Sequence, residues 1–238
     1  MHHSPTAHPP RPPARSRTLR VASVLAAALG VCCALLTALV VIRWHPLLAL
    51  DGDLSRTTHR WAVHDRTLTQ VFRVLTDWVW DPLTMRLVCA AAVVWLLWRH
   101  AAWWTALWLA ATVAMATVVQ QSVKSVVDRP RPVWPDPVDS ARYAAFPSGH
   151  AMTATVACGL LLWLLHRFGA GRLPRRTAVA AAVVSVVGVG LTRVWLGVHW
   201  PSDVLGGWLF GAFMVFLAVV AHESSRRGRG AMPVRRPR

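Results

Sequence analysis

The sequence predicts an all-α fold: a bundle of six transmembrane helices with an amphipathic helix in its first extracytoplasmic loop. Three observations predict it. Of the 238 residues, 55% are hydrophobic and 15% charged, where soluble domains carry about 25% charged residues. The apolar residues gather in six runs. Each run approaches the roughly 20 residues that a helix rising ~1.5 Å per residue needs to cross ~30 Å of hydrocarbon.

The first run, Val21 to Ile42, contains no charge. Arg15, Arg17 and Arg20 precede it as they would a signal peptide. Its apolar stretch is longer than a signal core and five more runs follow, so it reads as a retained signal-anchor helix. The second runs from Pro82 to Trp98, with Arg86 near one end, where its stem can snorkel to the interface. The others cover Ala101 to Val119, Pro147 to Leu165, Thr177 to Thr192 and Val204 to Ala221. Between the first two runs, Leu68, Val71, Phe72, Leu75, Trp78 and Val79 recur at helical spacing around Arg73 and Asp77. This helix is expected to lie along the interface, covering the bundle end rather than gating substrate. Residues 1–20 and 223–238 are basic and poor in apolar residues. They are expected to be disordered cytoplasmic tails flanking a single membrane domain, 21–222.

The formal charge of +16 does not imply nucleic acid binding. The basic residues lie in tails and short gaps, with no basic helix face or stacking platform. With the N-terminus inside, fifteen of the 26 Lys and Arg residues fall on the inner side. This positive-inside bias places both termini in the cytoplasm. Residues 123–146 and 193–203 then share the extracytoplasmic face of the cell membrane. Cys32, Cys33, Cys89 and Cys158 all lie inside apolar runs and lack metal-ligand spacing, so neither a disulfide framework nor a metal site is expected.

Three polar patches meet on that face: Lys124 to Pro132, Pro147 to His150, and Thr192 to Asp203. A phosphoryl group in transfer spreads charge over three oxygens, so its site needs fixed cations and N–H donors. Arg131 and Arg193 offer planar forks and Lys124 a point charge. Ser148 offers a hydroxyl. The Gly149 N–H opens a helix, whose N-terminus attracts anions. His199 and Asp203 stand four residues apart. If a helix begins at Trp200-Pro201, the carboxylate fixes one ring nitrogen and leaves the other free to attack phosphorus. His150 would protonate the leaving group and then activate water. Singly, each has a plain reading as an interfacial anchor or helix cap, as His45, His100, His166 and His222 do. Their joint occurrence on one face favours a site.

These residues resemble the signature of the type 2 phosphatidic acid phosphatase superfamily of integral-membrane lipid phosphatases. That pattern is shared with vanadium haloperoxidases and bacterial acid phosphatases. It reads Lys, six residues, Arg-Pro; Pro-Ser-Gly-His; then Ser-Arg, five residues, His, three residues, Asp. Lys124 and Arg131-Pro132 fit the first part, with Arg129-Pro130 out of register. Residues 147–150 fit the second, and Arg193, His199 and Asp203 the third, with Thr192 in place of Ser. The resemblance covers about residues 82–221. It implies phosphate contacts from Lys124, Arg131, Ser148, Gly149 and Arg193, with His150 as acid, His199 as nucleophile and Asp203 as orienter. It also implies no cofactor, no metal requirement and inhibition by vanadate. The expected activity is hydrolysis of a membrane lipid phosphate or diphosphate through a phosphohistidine. Candidate substrates are phosphatidic acid, phosphatidylglycerol phosphate and polyprenyl diphosphate. Phosphotransfer to another acceptor and a non-catalytic membrane protein are the alternatives; an embedded haloperoxidase is disfavoured.

Overall fold

The computed structural model describes residues 14–230, all helical or loop. Eight helices follow in order: α1 (Ala14–Val41), α2 (His45–His64), α3 (Arg66–Val74), α4 (Pro82–His100), α5 (Trp103–Val127), α6 (Gly149–Arg167), α7 (Arg172–Trp195) and α8 (Pro201–Gly230). A single π-helical stretch, Leu75–Val79, extends α3 toward α4. Among the described residues, six segments are long and apolar enough to cross a membrane: Arg17–Val41, Arg66–His100, Trp103–Val127, Gly149–Arg167, Arg172–Trp195 and Pro201–Ser225. Each contains one of the six expected runs or most of it, and the second also takes in the stretch expected to form an amphipathic helix before Pro82.

Helix ends follow local chemistry. Pro82 opens α4, and the Asp81 carboxylate accepts from Leu83 N at 2.7 Å and Thr84 N at 3.4 Å, satisfying two donors that a helix start leaves free. Asp65 caps α3 through Leu68 N in the same way. α5 ends where Asp128 turns into the left-handed region, φ 41°, a conformation that short polar side chains tolerate. That turn sends Arg129 inward.

α6 is the hub, packing against α4, α5, α7 and α8, while α1 packs chiefly on α8. Leu96, Leu109, Met152, Val156, Leu160 and Met214 form the main core between α4, α5, α6 and α8. Successive spans alternate in direction, so α2, α3, the 128–148 segment and the 196–200 loop gather at one end of the bundle.

Several expectations change. α1 begins seven residues before Val21, and α8 continues through Gly230, so 14–20 and 223–230 are helical rather than disordered; residues 1–13 and 231–238 lie outside the described residues. A second outer-loop helix, α2, was not legible beforehand. Arg86 is half-buried, its Nε without a partner, and it lines a small gap together with Thr117, Gln120 and Thr153. The outer helices also do more than cover the bundle end, as the site shows.

Candidate active site

Four elements converge on one pocket. The end of α5 supplies Lys124, and the segment after it Arg129 and Arg131. The start of α6 supplies Ser148, Gly149 and His150. The end of α7 supplies Arg193, the loop into α8 supplies His199, and the first turn of α8 supplies Asp203. Ser148 N donates to Asp203 O at 2.9 Å and Ala145 N to Arg129 O at 2.8 Å, so the three sequence patches are joined backbone to backbone. His150 lies within electrostatic range of Arg193, His199, Arg131 and Lys124.

α8 begins at Pro201, so His199 and Asp203 face each other across its first turn as expected. Asp203 Oδ2 accepts from Trp200 N at 2.9 Å and lies 3.4 Å from His199 Nδ1. Arg131 Nη1 lies 3.1 Å from His199 Nε2 and donates to Val198 O at 2.6 Å. A guanidinium is only a donor, so Nε2 is the acceptor and the proton sits on Nδ1, toward Asp203. Burial, and then the charges of Arg131, Arg193 and Lys124, hold the His199 imidazole well below its ordinary value of 6.5. The ring is neutral at physiological pH, with Nε2 carrying a lone pair.

The cations are unequally matched. Arg129 is held by two buried carboxylates, at 2.7 Å from Asp51 and 2.6 Å from Asp203. Lys124 donates only to the Ala144 carbonyl. Besides His199, Arg131 is held by carbonyls, among them Tyr143 O at 2.9 Å and Arg142 O at 3.0 Å. Arg193 meets the Thr76 hydroxyl at 3.5 Å and the Asp139 carboxylate only at 4.0 Å, leaving its Nε buried and unpaired. Ser148 Oγ is also buried and unpaired. Buried charges and hydroxyls are normally satisfied. Three cations without a close carboxylate, beside a free hydroxyl, make a site shaped for a multivalent anion.

A Cβ at Gly149 would come within 2.8 Å of Gln120 Nε2, the end of a side chain that would have to shift. Gly197, at φ 69°, makes the turn that lets Trp134 Nε1 donate to its carbonyl at 2.9 Å. Thr192 turns its hydroxyl back to Val189 O at 2.8 Å, so the Ser-to-Thr departure does not touch the pocket.

Sequence reasoning missed three residues. Thr76 comes from the π-helical stretch, a backbone distortion frequent at functional sites. Asp51 comes from α2. Arg129 was set aside as out of register, and its ion pairs leave it no fork for a ligand.

Comparison with known proteins places this geometry. The model of the PAP2 superfamily matches residues 105–227, more than half of the chain. The chain belongs to the PAP2 superfamily. A crystal structure of a transmembrane PAP2-type phosphatidylglycerolphosphate phosphatase from Bacillus subtilis superposes with a TM-score of 0.72 at 21% identity. That match covers 88% of this chain and 98% of the other, so the PAP2 fold is shared. Phosphatidylglycerophosphatase B of Bacillus subtilis is 32% identical over 47% of this chain and 55% of its own length. The undecaprenyl-diphosphatase of Sulfolobus acidocaldarius is 36% identical over 36% of this chain and 35% of its own. A Mycobacterium tuberculosis decaprenylphosphoryl-5-phosphoribose phosphatase is 37% identical over 41% of this chain and 50% of its own. The PAP2 chain thus spans about half or less of the length of these curated relatives.

Proposed function

We propose that this protein hydrolyses a membrane lipid phosphate or diphosphate through a phosphohistidine on His199. The observation that carries the proposal is the neutral, Asp203-oriented imidazole facing Lys124, Arg131 and Arg193, none of which has a close carboxylate partner. In the proposed reaction these cations, Ser148 Oγ and Gly149 N–H hold the phosphoryl oxygens. His199 Nε2 attacks phosphorus as the bond to the lipid oxygen breaks, and His150 gives that oxygen its proton. Asp203 supports the imidazolium character that develops on His199. Water then attacks the phosphohistidine, returning a proton to His150 and releasing phosphate and free His199. None of these steps calls on a metal, so EDTA should leave the rate unchanged.

A lipid substrate is supported by a groove of about 780 Å³ between α4, α6 and α7, lined by Met85, Val88, Trp95, Leu161 and Ala178 among others. Met85 packs with Trp80 against Ala154 and Val189. Ala154 and Val189 stand one helical turn from His150 and Arg193, and the groove's nearest lining residues on α6 and α7, Cys158 and Ser185, stand about two turns from them. The relatives' names, a phosphatidylglycerophosphatase, an undecaprenyl-diphosphatase and a phosphatase of a decaprenyl-linked sugar phosphate, support the same class. The positive-inside bias supports both termini in the cytoplasm and the site on the extracytoplasmic face.

The test is phosphate release by purified protein from phosphatidic acid, phosphatidylglycerol phosphate and a polyprenyl diphosphate. Wild type should release phosphate from at least one, with His199→Ala inactive. Wild-type rates in His199→Ala would overturn the mechanism.

A further inference from the structure

Arg129 and Asp51 form a buried network that no phosphate would touch. Arg129 Nη1 donates to Asp203 Oδ1 at 2.6 Å and to Ser202 Oγ at 2.7 Å, and Nη2 donates to Asp51 Oδ2 at 2.7 Å. Asp51 in turn accepts from Ser202 N at 2.9 Å through Oδ1 and from Ser202 Oγ at 2.5 Å through Oδ2. The guanidinium also lies 5.7 Å from the Trp200 ring centre. Arg129, Asp51, Ser202 and Asp203 are all at least nine-tenths buried.

Two consequences follow. Asp203 has one oxygen committed to Arg129 and the other to Trp200 N and His199, so Arg129 fixes the rotation that presents Oδ2 to the imidazole. Asp51, reaching across from α2, caps Ser202 N at the start of α8. The helix that carries Asp203 is thereby anchored to the first outer loop. Buried ion networks are poor stabilisers, because desolvation offsets most of their attraction; the best-attested reason to keep one is that it fixes a geometry.

We infer that Arg129 and Asp51 are positioning residues for the nucleophile: through Asp203 they set the tautomer and direction of His199, making α2 part of the catalytic apparatus. This rests on the phosphohistidine reading proposed above. Because neither group meets the substrate, changing them lowers kcat and spares KM. Because the device is a fork bridging two carboxylates, Lys at 129 keeps the charge and loses the function.

The experiment measures phosphate release by purified full-length protein. Arg129→Lys and Asp51→Asn should each lower kcat, about 10²-fold for a misdirected nucleophile, with KM within about threefold, a pure loss of transition-state stabilisation. In an Asp203→Ala background, where there is no carboxylate left to orient, Asp51→Asn should cost no more than about twofold, because residues acting through one group are not additive. Wild-type kcat in Arg129→Lys, a rise in KM alone, or an equal loss from Asp51→Asn in both backgrounds would each overturn the inference. Thermal unfolding in detergent identifies variants that fail to fold. Ser202→Ala, which removes only the bridging hydroxyl, then supplies the same kcat-against-KM comparison. A wild-type protein inactive on every lipid phosphate would overturn the underlying phosphatase reading, and this inference with it; active wild type with additive losses overturns the inference alone.

Discussion

His150 and His199 sit in one pocket yet are asked for opposite things. In the proposed reaction His199 offers a lone pair, and its burial among Arg131, Arg193 and Lys124 keeps it unprotonated. His150, as the proposed acid, hands over a proton, so its contribution depends on how poor the leaving group is. His150→Ala should lower hydrolysis of a lipid phosphomonoester by about 10²–10⁴-fold, the usual reach of general acid catalysis. Hydrolysis of p-nitrophenyl phosphate, whose leaving group needs no proton, should fall far less; equal losses on both would remove the acid role. The depressed His199 also links stability to pH. Its unfolded form takes up a proton below about 6.5 while the folded form does not, so its share of stability is intact above that value and declines as pH falls through it. The unfolding midpoint of wild type should therefore drop more between pH 7.5 and 5.5 than that of His199→Gln, with equal drops counting against a neutral buried ring. The eight expected site residues were legible because each falls at a fixed offset inside a short stretch of chain. Asp51 and Thr76 were not. Each is an ordinary polar residue on an outer helix, and its partner, Arg129 or Arg193, lies 78 or 117 residues away.

At the scale of helices, hydropathy found every membrane span because lipid imposes length and apolarity on a crossing segment. It missed α2, whose buried side is the polar stripe Asp51, Ser55 and His59 with Ala62. A search for apolar periodicity passes over such a helix. The groove between α4, α6 and α7 is a product of spacing that no single run reveals. It exists because small residues, Ala91, Ala92, Ala178, Ala181 and Ala182, face it where larger ones would close it. Filling it is therefore a specific test of where the hydrocarbon chain lies. Ala178→Phe should raise KM for long-chain lipid phosphates about tenfold, the cost of displacing one or two buried methylenes. It should leave p-nitrophenyl phosphate hydrolysis within about twofold, since Ala178 lies about four helical turns along α7 from Arg193. A loss shared by both substrates would show distortion of the bundle rather than occlusion of a chain.

For the molecule as a whole, every group proposed for the chemistry lies at the end of the bundle that carries α2, α3 and the 128–148 segment. The side of the membrane that this end faces decides which lipid pool the proposed activity would reach. In the proposed topology it faces outward: eleven of the 26 Lys and Arg residues then lie on that side, over a much longer total length of chain than the other fifteen. Several of the eleven are committed to the site rather than to topology. Lys124, Arg129, Arg131 and Arg193 are drawn into the pocket, which sharpens the bias, because such residues do not act as interfacial anchors. Ser140 lies exposed in the 128–148 segment, whereas the native cysteines all lie within spanning helices. Ser140→Cys should therefore react with a membrane-impermeant maleimide in intact cells, at a level unchanged by lysis, while wild type stays unlabelled. Labelling that appears only after lysis would invert the bundle, placing the cations, the imidazole and the lipid phosphate they await on the cytoplasmic leaflet.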